Sequence, residues 1–468
     1  MRGDRRQRSI MRVRALFALA ATVLALAVPL AGAAHADRTP ADPTPVSRTP
    51  GDQPLPGYTI QNPPLPPAQV GGKPSLVKQG VHNHSGYIIE VPPKWNGKLA
   101  LYAHGYRGQG FVLTVEPPPF GLRQRLLDQG YAWAASSYYR NGYDVRAGVL
   151  STRDLAELFA DEVGRPKQRL IVGVSMGGHV IGRSIEQFPR YYDGALPMCG
   201  VLGDHELFDY LLDYNLVAQD LAGVREYPVT DEYATVTVPK IMENLGLTGL
   251  TPGGPDTANE RGKQFRSIAV NRTGGERPGD EESFAYWKAF PFTLAAPPVP
   301  GATLAEEPDQ LSTNLFTWYT PNRPVNVNAS VQRVRARNLP ARLSNRLSQV
   351  PRINGRPGIP VLSLHNLGDM FVPFSMEQVY ASEVARQHRS RFLVQRAIRA
   401  VEHCEFSAAE AGTAWDDLAR WVDRGRRPAG DVVTKPGVVK RPDYGCRFSD
   451  RAAYDAGAGT RRLFPACP

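Results

Sequence analysis

The chain has 468 residues, 42% of them hydrophobic and 21% charged, which suits one large or two ordinary globular domains with a sizeable core. Its formal charge of +10 is concentrated at the start: six of the 55 basic and one of the 45 acidic residues precede residue 37, leaving 49 basic against 44 acidic, or +5. With that modest balance and no Lys/Arg run interleaved with aromatics, nucleic-acid binding is set aside.

Arg2, Arg5, Arg6, Arg8, Arg12 and Arg14 precede an uncharged apolar run from Ala15 to Leu30, and Ala34-His35-Ala36 offers a small-residue cleavage site. Residues 1–36 therefore read as a cleaved export signal. The run is short for a bilayer, so a secreted protein with no stable membrane anchor is expected. In an oxidising compartment the four cysteines, Cys199, Cys404, Cys446 and Cys467, favour two disulfides, with three connectivities open. No C-x-x-C pair exists, which argues against a zinc or thioredoxin-like centre and predicts no metal.

Residues 37–79 are dense in proline, as in Pro63-Pro64-Leu65-Pro66-Pro67, and lack apolar periodicity, which predicts an extended linker or a strap over the surface. A globular domain is expected over 80–425. Tyr87–Val91 and Lys98–Ala103, separated by Trp95-Asn96-Gly97, read as strands of a hairpin. The glycine-rich loop His104-Gly105-Tyr106-Arg107-Gly108 follows. A helix from 121 to 129, a strand from 131 to 136 and a helix from 145 to 163 lead to the strand Leu170–Val174. The next strand is 194–199, with Pro197 near its very end. Strands alternating with helices imply parallel pairing with helices on both faces. From about 201 to 358 the alternation stops. A structureless loop of that length is improbable in a compact domain, so this segment is predicted to be an inserted cap containing Trp287, Phe290, Phe292, Phe316, Trp318 and Tyr319. The sheet pattern resumes at Ile359–Leu364, followed by a helix over 376–388, a strand over 391–398 and an amphipathic helix over 408–422. Residues 426–468 form a tail holding Cys446 and Cys467.

Gly173-Val174-Ser175-Met176-Gly177 is the informative stretch. G-x-S-x-G alone is weak in a chain with 44 glycines, but here it lies between an apolar strand and a helix. A sharp turn there forces Ser175 into strained backbone and requires nearly side-chain-free neighbours, which Gly173 and Gly177 supply. A serine needs a base in hydrogen-bond reach, and the base needs an orienting carboxylate. In the order serine, acid, histidine expected of such an elbow, His403 in the loop after the last strand is the candidate base. Asp369, just past a strand end with Gly368 allowing a tight turn, is the candidate acid, and Asp204 is the runner-up. The backbone amides of Met176 and Tyr106 are the candidate oxyanion donors.

Gly173 to Gly178, His104-Gly105, Asp369 with Val372-Pro373, and His403 together resemble the α/β-hydrolase superfamily in its secreted esterase and lipase branches. The resemblance implies an α/β fold, with a mostly parallel eight-stranded sheet, helices on both faces and an inserted cap. It further implies ester or amide hydrolysis through an acyl-enzyme on Ser175, with no cofactor. Tannase and feruloyl-esterase-like enzymes link the residue before the serine to the residue after the histidine by a disulfide. Here Cys404 follows His403 but Val174 precedes Ser175, so that bridge is impossible, and the resemblance leads us to expect Cys199–Cys404 and Cys446–Cys467 instead. The expected partner is a small-molecule or polymeric ester, with aromatic cap residues suggesting an apolar or aromatic acyl or alcohol part. The alternative is a secreted, aminopeptidase-like serine peptidase, in which Asp204, Glu206, Glu306 or Glu307 would hold a substrate amine.

Overall fold

The computed structural model describes residues 51–294 and 311–467. The export signal, the first part of the proline-rich stretch, and Glu306 and Glu307 lie outside the described residues. Eight strands form the central sheet: β1 (Leu76–His82), β2 (Ser85–Val91), β3 (Lys98–Ala103), β4 (Ala132–Ser136), β5 (Gln168–Val174), β6 (Gly194–Met198), β7 (Val361–Asn366) and β8 (Leu393–Ile398). Their spatial order is β8-β7-β6-β5-β3-β4-β2-β1. Pairs from β4 through β8 are parallel, whereas β2 is antiparallel to both β1 and β4. The β-branched and apolar runs that read as strands are buried on both faces, as a parallel sheet covered by helices requires.

Alternate residues of β3 define the two layers. Leu99 and Leu101 pack with Leu155, Ala156 and Phe159 of helix α1 (Val145–Glu162) and with Ile181 and Ile185 of helix α2 (Met176–Gln187). Ala100 and Tyr102 pack on the opposite face with Trp415 and Leu418 of the C-terminal helix Ala408–Arg424. That helix starts at a capping box in which the Ser407 hydroxyl accepts from the Glu410 amide and the Glu410 carboxylate accepts from the Ser407 amide.

Two expectations about the N-terminal half are corrected. β2 and β3 are not a hairpin. The hairpin partner of β2 is β1, joined through Asn83 and His84 at φ 45° and 66°, the positive-φ pair of a two-residue turn. Trp95-Asn96-Gly97 instead carries the chain past β4, with the Asn96 amide bonded to the Gly130 carbonyl at 2.9 Å, to the slot where β3 pairs parallel with β4. The proposed boundary at residue 80 also falls inside β1, an edge strand whose residues are only half-buried and so carry little apolar pattern. The described part of the proline-rich stretch is a strap: Thr59–Gln61 pairs parallel with Val112–Thr114. The Ala68 amide donates to the buried Glu90 carboxylate (3.0 Å), which also accepts from Trp133 Nε1 (2.8 Å) and Arg123 Nε (2.8 Å).

Between β6 and β7 the chain forms a helical cap. Its main pieces are α3 (Glu206–Ala222), α4 (Val238–Asn244), α5 (Glu260–Arg272) and α6 (Asp280–Trp287). Tyr214, Phe265, Phe284 and Phe292 make its aromatic centre, whereas Phe316 and Trp318 are exposed. The tail closes through Cys446–Cys467 and packs on the body: its Tyr444 and Pro465 carbonyls accept from the fully buried Arg399 guanidinium at 2.9 and 2.8 Å. Among the described residues no helix is long and apolar enough to cross a membrane.

Candidate active site

β5 ends at Val174 and α2 begins at Met176, leaving Ser175 alone in the turn at φ 57° and ψ −123°. Only a tightly held turn keeps a non-glycine residue there. Glycine on either side has a steric cause: a Cβ on Gly173 would lie 2.5 Å from the Ala103 carbonyl oxygen, and one on Gly177 would meet the same oxygen still closer. The turn lifts Ser175 to the carboxyl ends of the strands. Met176 is the first helical residue, so its N–H is one of the helix-end donors without an intrahelical acceptor.

The candidate base and acid come from the loops after β8 and β7. His403 Nε2 lies 2.8 Å from Ser175 Oγ, and His403 Nδ1 lies 2.5 Å from Asp369 Oδ2. Asp369 is fully buried, and its other oxygen accepts from the amides of Phe371 (2.9 Å) and Val372 (3.0 Å). These bonds fix the carboxylate. Because a carboxylate accepts, Nδ1 carries the proton and Nε2 faces the serine as an acceptor. Beneath this turn, buried His365 donates from Nε2 to the Val372 carbonyl (2.8 Å). Asp204 does not join the Ser175–His403–Asp369 chain of contacts. Its carboxylate accepts from the Ile353 amide (2.8 Å) and the His205 amide at the root of the cap.

The disulfide Cys199–Cys404 ties the loop after β6 to the residue following His403, with the Cα atoms 5.2 Å apart. Cys199, His403 and Cys404 form the grouping of metal-ligand types found among the described residues. Both sulfurs are bonded to each other, so no thiolate is available to a metal there.

Three residues that sequence reasoning missed come from the cap and hold the acid and base loops. The Tyr210 hydroxyl donates to the Met370 carbonyl (2.8 Å), Arg277 Nε to the Leu367 carbonyl (2.6 Å), and Trp287 Nε1 to the Val401 carbonyl (2.8 Å). Phe290 of the cap meets Phe371 edge-on at 4.9 Å, and Phe371 meets the His403 ring at the same separation. Gly368 is wedged here, since a Cβ would lie 2.5 Å from Ser283 Oγ and 2.7 Å from Val401 Cα. The cap is thus a brace for the loops that carry Asp369 and His403.

A cleft of about 460 Å³ opens over Ser175 and His403, walled by Tyr102, Tyr106, Arg107, Glu116 and Phe371. Gly105 runs directly over the elbow: a Cβ there would lie 3.0 Å from the Ser175 Cβ. Behind this loop His104 is buried and stacked on Tyr138 (3.8 Å). Burial, with Arg107 adding to it, pushes its pKa down to about 3, so the ring is neutral and adds no charge to the serine's surroundings. Asp204 and Glu206 line a different cavity of about 170 Å³, together with Arg342, Arg352 and Glu383.

A serine on a strained strand-to-helix turn, with a histidine and a carboxylate on the loops after the last two strands of a sheet in this order, is the arrangement of the α/β-hydrolase fold. The chain is 21% identical over 414 residues to an o-phthalyl amidase from Xanthobacter agilis, a match covering 74% of this chain and 86% of that protein. It is structurally similar to an esterase from Aspergillus oryzae, with 15% identity, 76% of this chain and 80% of that one covered, and a TM-score of 0.46. Similarity to feruloyl esterase B from Aspergillus oryzae is comparable: 15% identity, 74% and 80% covered, TM-score 0.43. No family model matches the chain.

Proposed function

We propose that this protein is an exported serine hydrolase that cleaves carboxylic esters through an acyl-enzyme on Ser175. The observation that carries the reading is the unbroken chain Ser175 Oγ, His403 Nε2, His403 Nδ1, Asp369 Oδ2, with contacts of 2.8 and 2.5 Å. Ser175 attacks the ester carbonyl and its proton passes to Nε2. The amides of Met176 and Tyr106 stabilise the tetrahedral oxyanion. The imidazolium, held by Asp369, then gives the proton to the departing alcohol. Water, activated by the same nitrogen, releases the acid and restores the serine. Two disulfides and the arginine-led apolar N-terminus support export. Ser175→Ala is expected to reduce turnover of short p-nitrophenyl esters by a factor on the order of 10⁶ with an unchanged circular-dichroism spectrum. Undiminished turnover by the folded variant would remove the assignment.

Amide hydrolysis is the second reading, favoured by the relative named as an amidase. An aminopeptidase-like version has less support, because Asp204 and Glu206 face a separate cavity from the cleft over Ser175. Comparing amino-acyl anilides, N-acyl anilides and simple esters at equal enzyme concentration separates the three.

A further inference from the structure

We propose that the Arg107 guanidinium is a carboxylate anchor in the cleft, so that the preferred substrates are esters or amides of acids carrying a second, free carboxylate. The proposal rests on the reading of Ser175 as nucleophile and names the substrate class of that site. Arg107 stands two residues beyond Gly105, on the loop that crosses the elbow, and lines the same cleft as Ser175 and His403. Its Nη1 donates to the Thr114 carbonyl and to Thr114 Oγ1, both at 2.7 Å. Two bonds to one residue fix the plane of the guanidinium. Its Nη2 donates to Glu116 Oε2 at 2.8 Å, and the two partners differ sharply in burial: the Arg107 side chain is 16% exposed and that of Glu116 63%.

A carboxylate that is 63% exposed is a weakly held counter-ion, since exposed pairs contribute little net free energy. A substrate carboxylate entering the cleft replaces Glu116 at Nη2, while the Thr114 bonds keep the cation in place. Guanidinium suits this exchange because its donors are set in a rigid plane and stay charged. The opposite choice, Glu116 holding a substrate amine, is disfavoured by the same geometry. Glu116 has Arg107 as its partner, so an amine would have to displace a cation held by Thr114 to reach a carboxylate that is 63% exposed. Tyr102, Tyr106 and Phe371 give the same cleft aromatic walls, which fits an acyl part with an apolar body and an anionic end.

The test pairs neutral and carboxylated substrates of matched size: methyl hexanoate with monomethyl adipate, methyl benzoate with monomethyl phthalate, and methyl butyrate with monomethyl succinate. The wild type is expected to favour the carboxylated member by about 10- to 100-fold in kcat/KM at the spacing that reaches Nη2, the range a charge-assisted hydrogen bond commands. Arg107→Gln should collapse that ratio toward unity, Arg107→Lys should retain part of it, and Glu116→Gln, a surface change, should raise it. A wild-type ratio near one at every spacing, or a ratio that Glu116→Gln lowers or leaves unchanged, overturns the proposal. Binding of monomethyl adipate, monomethyl phthalate and monomethyl succinate to Ser175→Ala protein by calorimetry, against methyl hexanoate, methyl benzoate and methyl butyrate, separates the two readings. Selective binding of the carboxylated esters without turnover in the wild type would retain the anchor and reject the hydrolase reading. Turnover of neutral esters without preference for the carboxylated ones would do the reverse, and absence of both would reject both.

Discussion

Replacing Cys199 and Cys404 together by alanine opens a cross-link between residues 205 positions apart in sequence, whereas Cys446→Ala/Cys467→Ala opens one spanning 21. Treated as loop closure in the unfolded chain, the first bridge contributes ~5 kcal/mol and the second ~3 kcal/mol. The first also carries a local burden that the second does not. Cys199 and Cys404 both sit at positive φ, 46° and 59°, and alanine keeps the Cβ that makes this backbone unfavourable. Without the bridge these two turns relax, and Cys404 is the neighbour of His403. The Cys199→Ala/Cys404→Ala protein is therefore expected to unfold at lower urea than Cys446→Ala/Cys467→Ala. It should also lose kcat by about 10- to 100-fold with a smaller change in KM, because the imidazole is displaced from Ser175 rather than the cleft reshaped. Urea unfolding followed by tryptophan fluorescence, with steady-state kinetics at low temperature, reads both quantities. Equal midpoints for the two double variants would refute the loop-entropy argument, and wild-type kcat in the first would show that the bridge does not hold the base.

Trp287→Phe keeps an aromatic ring in the cap but leaves the Val401 carbonyl without the indole N–H that it accepts at 2.8 Å. It should cost ~1–3 kcal/mol in stability, and kcat should fall more than KM changes; an unaltered kcat in a destabilised protein would confine Trp287 to packing. The cap root has its own pH signature. Burial pushes the Asp204 carboxyl up to about 7 from its ordinary 3.8, against the bonds it accepts from the Ile353 and His205 amides. The folded state thus binds this proton more tightly than the unfolded chain. The stability that the group contributes is full below pH 3.8 and is lost as pH rises through about 7. Asp204→Asn starts from a lower stability, since an amide offers one acceptor where the carboxylate offered two. Its midpoint should nevertheless fall less than that of the wild type between pH 5 and 8, and parallel profiles would contradict the shift.

What could be read from the residues alone follows from how local each constraint is. The elbow is legible because its demands fall on five consecutive positions: a strained serine and two neighbours without room for a Cβ. Asp369 and His403 could be chosen because each lies just past a strand with a recognisable apolar pattern. β1 escaped notice because an edge strand is half-buried and its side chains need not alternate, and its turn, Asn83-His84, has no glycine to mark it. The cap contacts were invisible for another reason. Tyr210, Arg277 and Trp287 are separated in sequence by 160, 90 and 114 residues from the carbonyls they hold, and each looks like an ordinary core or surface residue in its own helix or loop. The same applies to the tail, whose backbone carbonyls satisfy the buried Arg399 and give no sequence signal of doing so.

The central claim is that Ser175 is a nucleophile activated by His403. A fluorophosphonate reacts covalently with such a serine, so the intact protein should gain the mass of one adduct, mapped by peptide sequencing to Ser175. Ser175→Ala should gain none, and His403→Ala should react far more slowly. An unlabelled wild-type protein, or an adduct on another residue, would contradict the account.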